Sequence, residues 1–149
     1  MSKLEISARL GAAALLLACA GVATDLAVAR DDVPEELKNR SNPVTLEESE
    51  VRYYQRQFKG KCARCHAIDG SGTGVDAAAS SGLAPPANFR DAEYMASRSD
   101  GELFYQILKG GGERCAMPAF GPESDQAWSE DKIWHMVAFI RRFAQPSER

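Results

Sequence analysis

Cys62-Ala63-Arg64-Cys65-His66 brings two thiols and an imidazole into five consecutive residues. Thiolates and imidazole are transition-metal ligands, and the thiolate is also a nucleophile. In the order Cys-x-x-Cys-His the pattern reads as the attachment site of a c-type haem. Two thiols three positions apart near a helix end can reach the two vinyl groups on one porphyrin edge. The adjacent His66 is then carried under the iron as the proximal ligand. Two other chemistries use the same residue types. A thioredoxin-type redox pair at Cys62 and Cys65 expects a βαβ setting, of which the chain has no sign. A zinc site from Cys62, Cys65, His66 and Cys115 has suitable ligands, but structural zinc sites pair two spaced motifs and Cys115 stands alone.

A haem iron held by His66 needs its second ligand from another segment, and Met117 is the choice. It stands in Arg114-Cys115-Ala116-Met117-Pro118-Ala119-Phe120, after a triple glycine and before a stiffening proline. A thioether opposite histidine favours ferrous iron and raises the potential. Met95, Met136, His135 and Cys115 are the competitors. Met95 and Met136 fall in expected helices, where methionine more often fills core. His135 lies inside the expected final helix, and Cys115 would require the loop to shift by two residues.

The elements that must position these groups are helical. Thr45 resembles a helix N-cap, with Glu47, Glu48 and Glu50 suited to the helix dipole. Val51, Tyr54 and Phe58 recur at helical spacing, so a helix over about 46–61 would deliver the haem motif at its end. From Asp69 to Asn88 the chain turns to Gly, Ser, Ala and Pro, a loop of about 20 residues that we expect to wrap the ligand. A short helix is expected over 91–96. A longer one starts at an N-cap on Ser99 with Glu102 completing a capping box, and Gly110-Gly111-Gly112 stops it. The last helix starts near Ser129 and carries Ile133, Trp134, Val137 and Ile140 on one stripe. No strand-like alternation or internal repeat stands out. The expected class is therefore all-α, about four helices around one covalently attached haem.

The chain has 149 residues and a formal charge of −3, enough for one domain. Residues 1–29 read as an export signal: Lys3 and Arg9, an apolar run from Leu10 to Ala23, and a small-residue exit at Ala27-Val28-Ala29. The run is shorter than the ~20 residues that span a bilayer. Cys19 resembles a lipoprotein box, but Leu17 is bulky for its place and loss with the signal is preferred. Residues 30–45, with Pro34 and Pro43 among mixed charges, are expected to form a loosely held, flexible arm. The domain proper is 46–145. After cleavage the protein is expected to be soluble and periplasmic, where such haems are attached. An acidic chain without a basic cluster argues against nucleic acid as partner.

On the haem motif, the Met117-Pro118-Ala119-Phe120 loop and the ending Ile133-Trp134-His135-Met136-Val137-Ala138-Phe139-Ile140, the chain from about Leu46 to Phe143 resembles a class I, mono-haem cytochrome c. It is similar to the cytochrome c subunit of cbb3-type oxidases. The resemblance implies that the first and last helices cross beside the haem, with Phe58 meeting Trp134 or Phe139. The family often has glycine one turn before that aromatic, where this chain has Tyr54. It also implies that a proline carbonyl, from Pro85 or Pro86, orients His66. That makes Cys62, Cys65, His66, Pro86 and Met117 the cofactor-binding set, with His66 and Met117 on the iron. Cys115 is not required by the family pattern. It either packs, as free cysteines commonly do, or links two chains into a dimer.

These readings describe an electron carrier rather than an enzyme, exchanging electrons with a protein donor and acceptor in small transient contacts. Lys59, Lys61, Arg64, Lys109 and Arg114 could make its haem edge locally basic. Two alternatives are a gas-binding haem protein in which Met117 does not hold the iron, and a dedicated subunit of a larger redox enzyme docked through the 30–45 arm.

Overall fold

Val51, Tyr54 and Phe58 do fall on one helix, α2 (Glu48–Lys61), whose first turn is acidic and last turn basic. The computed structural model describes residues 33–80, 82–113 and 115–145. The expected export segment, Cys19 and Arg114 lie outside the described residues. The α2 start differs from expectation. Glu47, not Thr45, is the N-cap, and the Glu50 carboxylate accepts the Glu47 N–H at 3.1 Å.

Among the described residues the order is α1 (Glu35–Lys38), α2, α3 (Ala63–His66), a 3-10 turn (Ala77–Ser80), α4 (Ala92–Ala96), α5 (Asp100–Lys109), α6 (Glu130–Arg141) and a closing 3-10 turn (Arg142–Ala144). None of these residues is in a strand, and the all-α expectation holds. The four expected helices are α2, α4, α5 and α6; α1 and α3 are single turns added to them.

Capping sets the ends of α5 and α6. Ser99 Oγ accepts the Glu102 N–H at 3.0 Å while Glu102 accepts the Ser99 N–H at 2.8 Å, the reciprocal box that satisfies two otherwise orphan donors. Gly110 closes α5 at φ 73°, a backbone conformation that costs glycine little. Ser129 caps α6 through the Lys132 N–H.

The core is built on α6, which buries Ile133, Trp134, Met136, Val137, Phe139 and Ile140. Complete burial of Ile133 and Val137 is each worth about 1.5–3 kcal/mol relative to exposure. Against one side lies α5, with Phe104 stacked on Trp134 at 4.1 Å between ring centroids. Against the other lies α2, where Phe58 meets Phe139 at 5.7 Å. Of the two partners expected for Phe58, Phe139 is therefore the one in contact. One turn earlier on α2, Tyr54 lies parallel to His135 at 5.3 Å. The two rings occupy the crossing with a flat stack rather than a glycine notch.

The segment before α2 is not a loose arm. From residue 33 onward it docks on α5 and α6. Asn42 N–H donates to Asp100 at 2.9 Å and its side-chain amide donates to the Trp134 carbonyl at 2.9 Å. Gly101 N–H donates to Arg40 O at 3.0 Å, and the Arg40 guanidinium lies 5.1 Å from the Trp134 ring centroid. Gly101 is required for this approach, since a Cβ there would stand 1.8 Å from Leu37 O. Leu37, Val44 and Leu46 add partly buried apolar area. The prolines and charges of the segment signal irregular backbone, but not whether that backbone finds partners far along the chain.

Candidate haem-binding site

α2 ends at the first cysteine: Cys62 N–H still donates to Phe58 O at 2.8 Å. Cys65 and His66 N–H groups then both donate back to Cys62 O, at 3.1 and 2.9 Å, winding α3 as one tight turn. This turn brings both thiols and the imidazole to the wall of one cavity of about 410 Å³, within the ~300–1,000 Å³ typical of ligand and cofactor sites. None of the three cysteines among the described residues is in a disulfide.

His66 is held on two sides. A carbonyl can only accept, so the Nδ1–Ala87 O contact of 3.1 Å makes Nδ1 the protonated nitrogen and leaves the Nε2 lone pair for a metal. The ring stacks on Phe89 at 4.5 Å and 17°. Burial pushes the His66 pKa down, partly offset by the bond to Ala87, and the neutral form is the ligating one. The orienting carbonyl is thus one residue beyond Pro86, where it was expected. Pro86 itself lines the cavity. The register of the loop decides this: Gly72 N–H donates to His66 O at 2.9 Å, Gly74 N–H to Cys65 O at 3.0 Å, and Phe89 N–H to Gly70 O at 2.8 Å. These bonds fold the loop back on α3 and present the Ala87 carbonyl to the ring.

Burial, with a smaller contribution from Cys65, pushes the Cys62 thiol up to about 12. A thioredoxin-type cysteine has its pKa lowered instead, so the redox-pair chemistry does not suit this environment. Among the described residues no group of three or more His, Cys, Asp and Glu side chains is gathered as a metal-ion cluster.

Met117 lines the same cavity, on a loop that returns along the end of α5. Gly111 N–H donates to Met117 O at 2.9 Å, and Phe120 and Gly121 N–H groups donate to Ile107 and Leu108 carbonyls, each at 3.0 Å. Gln106 Nε2 donates to Gly110 O at 2.9 Å and lies 3.9 Å from Met117 Sδ and 4.0 Å from Cys115 Sγ.

The competitors sort by position. Met95 is buried in the core and His135 is stacked on Tyr54; neither lines the cavity. Met136 does line it, at 1% exposure within the interior of α6. Cys115 is half-buried and also lines the cavity.

The cavity fits a haem by the chemistry of its wall: two thiols and an oriented imidazole, a thioether, and apolar groups such as Leu103, Ile107 and Phe120. Residues that sequence reasoning missed are Ala87, Gln106 and Arg98, which also lines it. Of these only Gln106 carried a signal, one turn before the glycine stop and on the same helical face as Leu103. Of the expected basic edge, Arg64 is paired with Asp76 through two contacts of 2.5 and 3.0 Å, so its charge is locally balanced.

No curated protein matches the chain. Among solved structures it is similar to the KustC0563 c-type cytochrome, at 26% identity over 61% of this chain and 96% of that one, with a TM-score of 0.48. It is also similar to a chain of the Kuenenia stuttgartiensis reducing HAO-like protein complex Kustc0457/Kustc0458, at 20% identity and a TM-score of 0.55. That match covers 69% of this chain and 47% of the other, and it speaks for the fold alone. Residues 49–140 match the family described as cytochrome C oxidase, cbb3-type, subunit III; with the haem motif, the Met117 loop and all but one terminal residue each of α2 and α6 inside that span, the chain belongs to this family of c-type cytochromes.

Proposed function

We propose that this protein is a periplasmic carrier of electrons, with one haem c attached through Cys62 and Cys65 and its iron held by His66 and Met117. Covalently bound haem c and haem electron transfer follow from the family. The observation that carries the finer reading is the convergence of Cys62, Cys65, His66 and Met117 on one cavity.

A haem bound there supplies one-electron exchange at iron. Each residue has a separate task. Cys62 and Cys65 would hold the haem covalently through their thiols. Ala87 and Phe89 hold the His66 ring in plane and tautomer, which limits rearrangement between oxidation states. The Gln106 bond to Gly110 steadies the loop that offers Met117. Leu103, Ile107 and Phe120 exclude water, which favours the less charged ferrous form. With His66 and Met117 both holding the iron, such a haem would have no site open for a substrate.

Transfer to a partner requires an exposed approach. Ile68 and Val75, 58% and 83% exposed, stand on the loop after the haem motif and suit a small, transient contact. A second reading, a dedicated subunit of a larger redox complex, draws on the family's own description as an oxidase subunit. Stable co-purification with an oxidase or dehydrogenase would favour it over the free carrier.

The test is the optical spectrum of the holoprotein, ferric and ferrous, with and without carbon monoxide. The proposal expects a low-spin spectrum, the weak long-wavelength band of sulfur-ligated ferric haem and no carbon monoxide shift. Met117→Ala should abolish the band. A high-spin ferrous form that takes up carbon monoxide readily would instead make this a gas-binding haem protein.

A further inference from the structure

Among the described residues the wall of the haem cavity is drawn from residues 58–140, with one exception, Val33. That residue lies ahead of the span 49–140 that matches the family. Its place on the wall is thus an addition to the part of the site that the family match covers.

The position of Val33 is set by its neighbours. A β-branched residue before proline has little freedom in backbone or side chain. Leu37 and Lys38 N–H groups both donate to Pro34 O, at 2.8 and 3.1 Å, so α1 winds directly onto the residue after Val33. α1 in turn packs on α5. There Gly101 leaves room for Leu37 O, and its N–H donates to Arg40 O at 3.0 Å. Asn42 ties down the other end. Its N–H donates to Asp100, its side-chain amide to Trp134 O, and its side-chain oxygen accepts the Val44 N–H at 3.0 Å. Leu37, Val44 and Leu46 pack against the core beneath.

α5 is also the helix that gives the cavity Leu103, Gln106 and Ile107. A segment fastened to the first turn of that helix, with its half-buried tip on the cavity wall, has the form of a strap. We propose that residues 33–46 are a strap across the haem cavity, with Val33 as the contact that closes it against water. The proposal rests on the haem reading above. An apolar side chain at that place favours the less charged ferrous form. A carboxylate there brings in water and negative charge, both of which stabilise ferric iron, so the potential falls. If the segment served only to stabilise the fold, a substitution at its tip would leave the iron untouched.

The experiment compares holoproteins of the native chain, Val33→Asp and Asn39→Asp by spectroelectrochemical titration. Both variants add one negative charge to the segment, one at its tip and one at the exposed end of α1. Val33→Asp is expected to lower the ferrous-to-ferric ratio at fixed ambient potential about fivefold, about 40 mV at 59 mV per decade for a one-electron couple. Asn39→Asp, screened by solvent and salt, should change the ratio about twofold at most. A native potential in Val33→Asp, or equal falls in the two variants, overturns the proposal.

If Val33→Asp does not mature, methyl NMR of the native holoprotein labelled at valine decides, with the Val33 signals assigned through Val33→Ile. In the ferrous state those signals should be displaced by the haem ring current, and they should move again on oxidation. Signals at the ordinary valine position in both states overturn the proposal. Failure of the native chain to take up haem at all would instead defeat the haem reading, and is recognised by the missing optical spectrum.

Discussion

Tyr54 and His135 lie face to face, their ring centroids 5.3 Å apart and their planes 5° from parallel. The stack joins α2 to α6 one turn from the Phe58–Phe139 contact, so the crossing that frames the haem cavity rests on two successive aromatic pairs. It also places the Tyr54 hydroxyl near carboxylates, and its pKa is pushed up to about 12, by burial first and then by Asp131, Tyr53 and Glu50.

That shift predicts an alkaline weakness. The folded chain holds the Tyr54 proton more tightly than the unfolded chain, whose tyrosine titrates near 10. The stability it contributes is whole below about pH 10 and is lost as pH climbs toward 12. Urea unfolding at a series of pH values from about 9 to 12 should show a shallower decline for Tyr54→Phe than for the native chain. Equal slopes would remove Tyr54 as the cause.

Gly101 tests the docking of the N-terminal segment. Gly101→Ala drives a Cβ into Leu37 O and should cost about 1–3 kcal/mol, as overpacking does. Limited proteolysis should then cut ahead of α2, between residues 33 and 46, faster than in the native protein. Unchanged cleavage together with unchanged stability would mean that the segment contributes nothing to the fold.

Arg141 makes three polar contacts at the α4–α5 corner, to Met95, Arg98 and Asp100. Replacing it by methionine keeps much of the apolar stem but leaves those acceptors without their charged donor. The expected loss is about 2–3 kcal/mol, read as a lower urea midpoint at constant m. Asp100→Asn, which keeps an acceptor for Arg141, should cost less.

Gln106→Leu removes the donor that holds Gly110 O at 2.9 Å and lies near both loop sulfurs. The holoprotein should still form, because the cysteine turn is untouched. Its long-wavelength ferric band should weaken, and the ferrous form should take up more carbon monoxide than the native protein. A native spectrum in this variant would show that the loop needs no support from α5.

Motifs whose successive members stand no more than about one helical turn apart were legible in the amino-acid sequence, because each group they need lies close to the next along the chain. The cysteine pair with its histidine, the Ser99–Glu102 box, the Ser129 cap and the stripe on α6 all belong here. The glycine stop after Lys109 and the wrapping character of residues 69–88 were equally readable, since glycine and proline act on the backbone where they stand. From these alone follow the all-α class, the family resemblance and the haem.

Tertiary structure decided what depends on partners far apart in sequence. The His66 ring meets Ala87 rather than Pro86 because bonds from Gly72, Gly74 and Phe89 set the loop register, and a shift of one residue leaves no mark on composition. Residues 33–46 dock instead of trailing because Asn42 finds Asp100 and Trp134, 58 and 92 positions away. Nothing in its sequence neighbourhood marks Arg98; the packing of the α4–α5 corner puts it on the cavity wall and leaves its buried Nε without a hydrogen-bond partner among the described residues. Spacing along the chain encodes local geometry, whereas burial is a property of the whole fold.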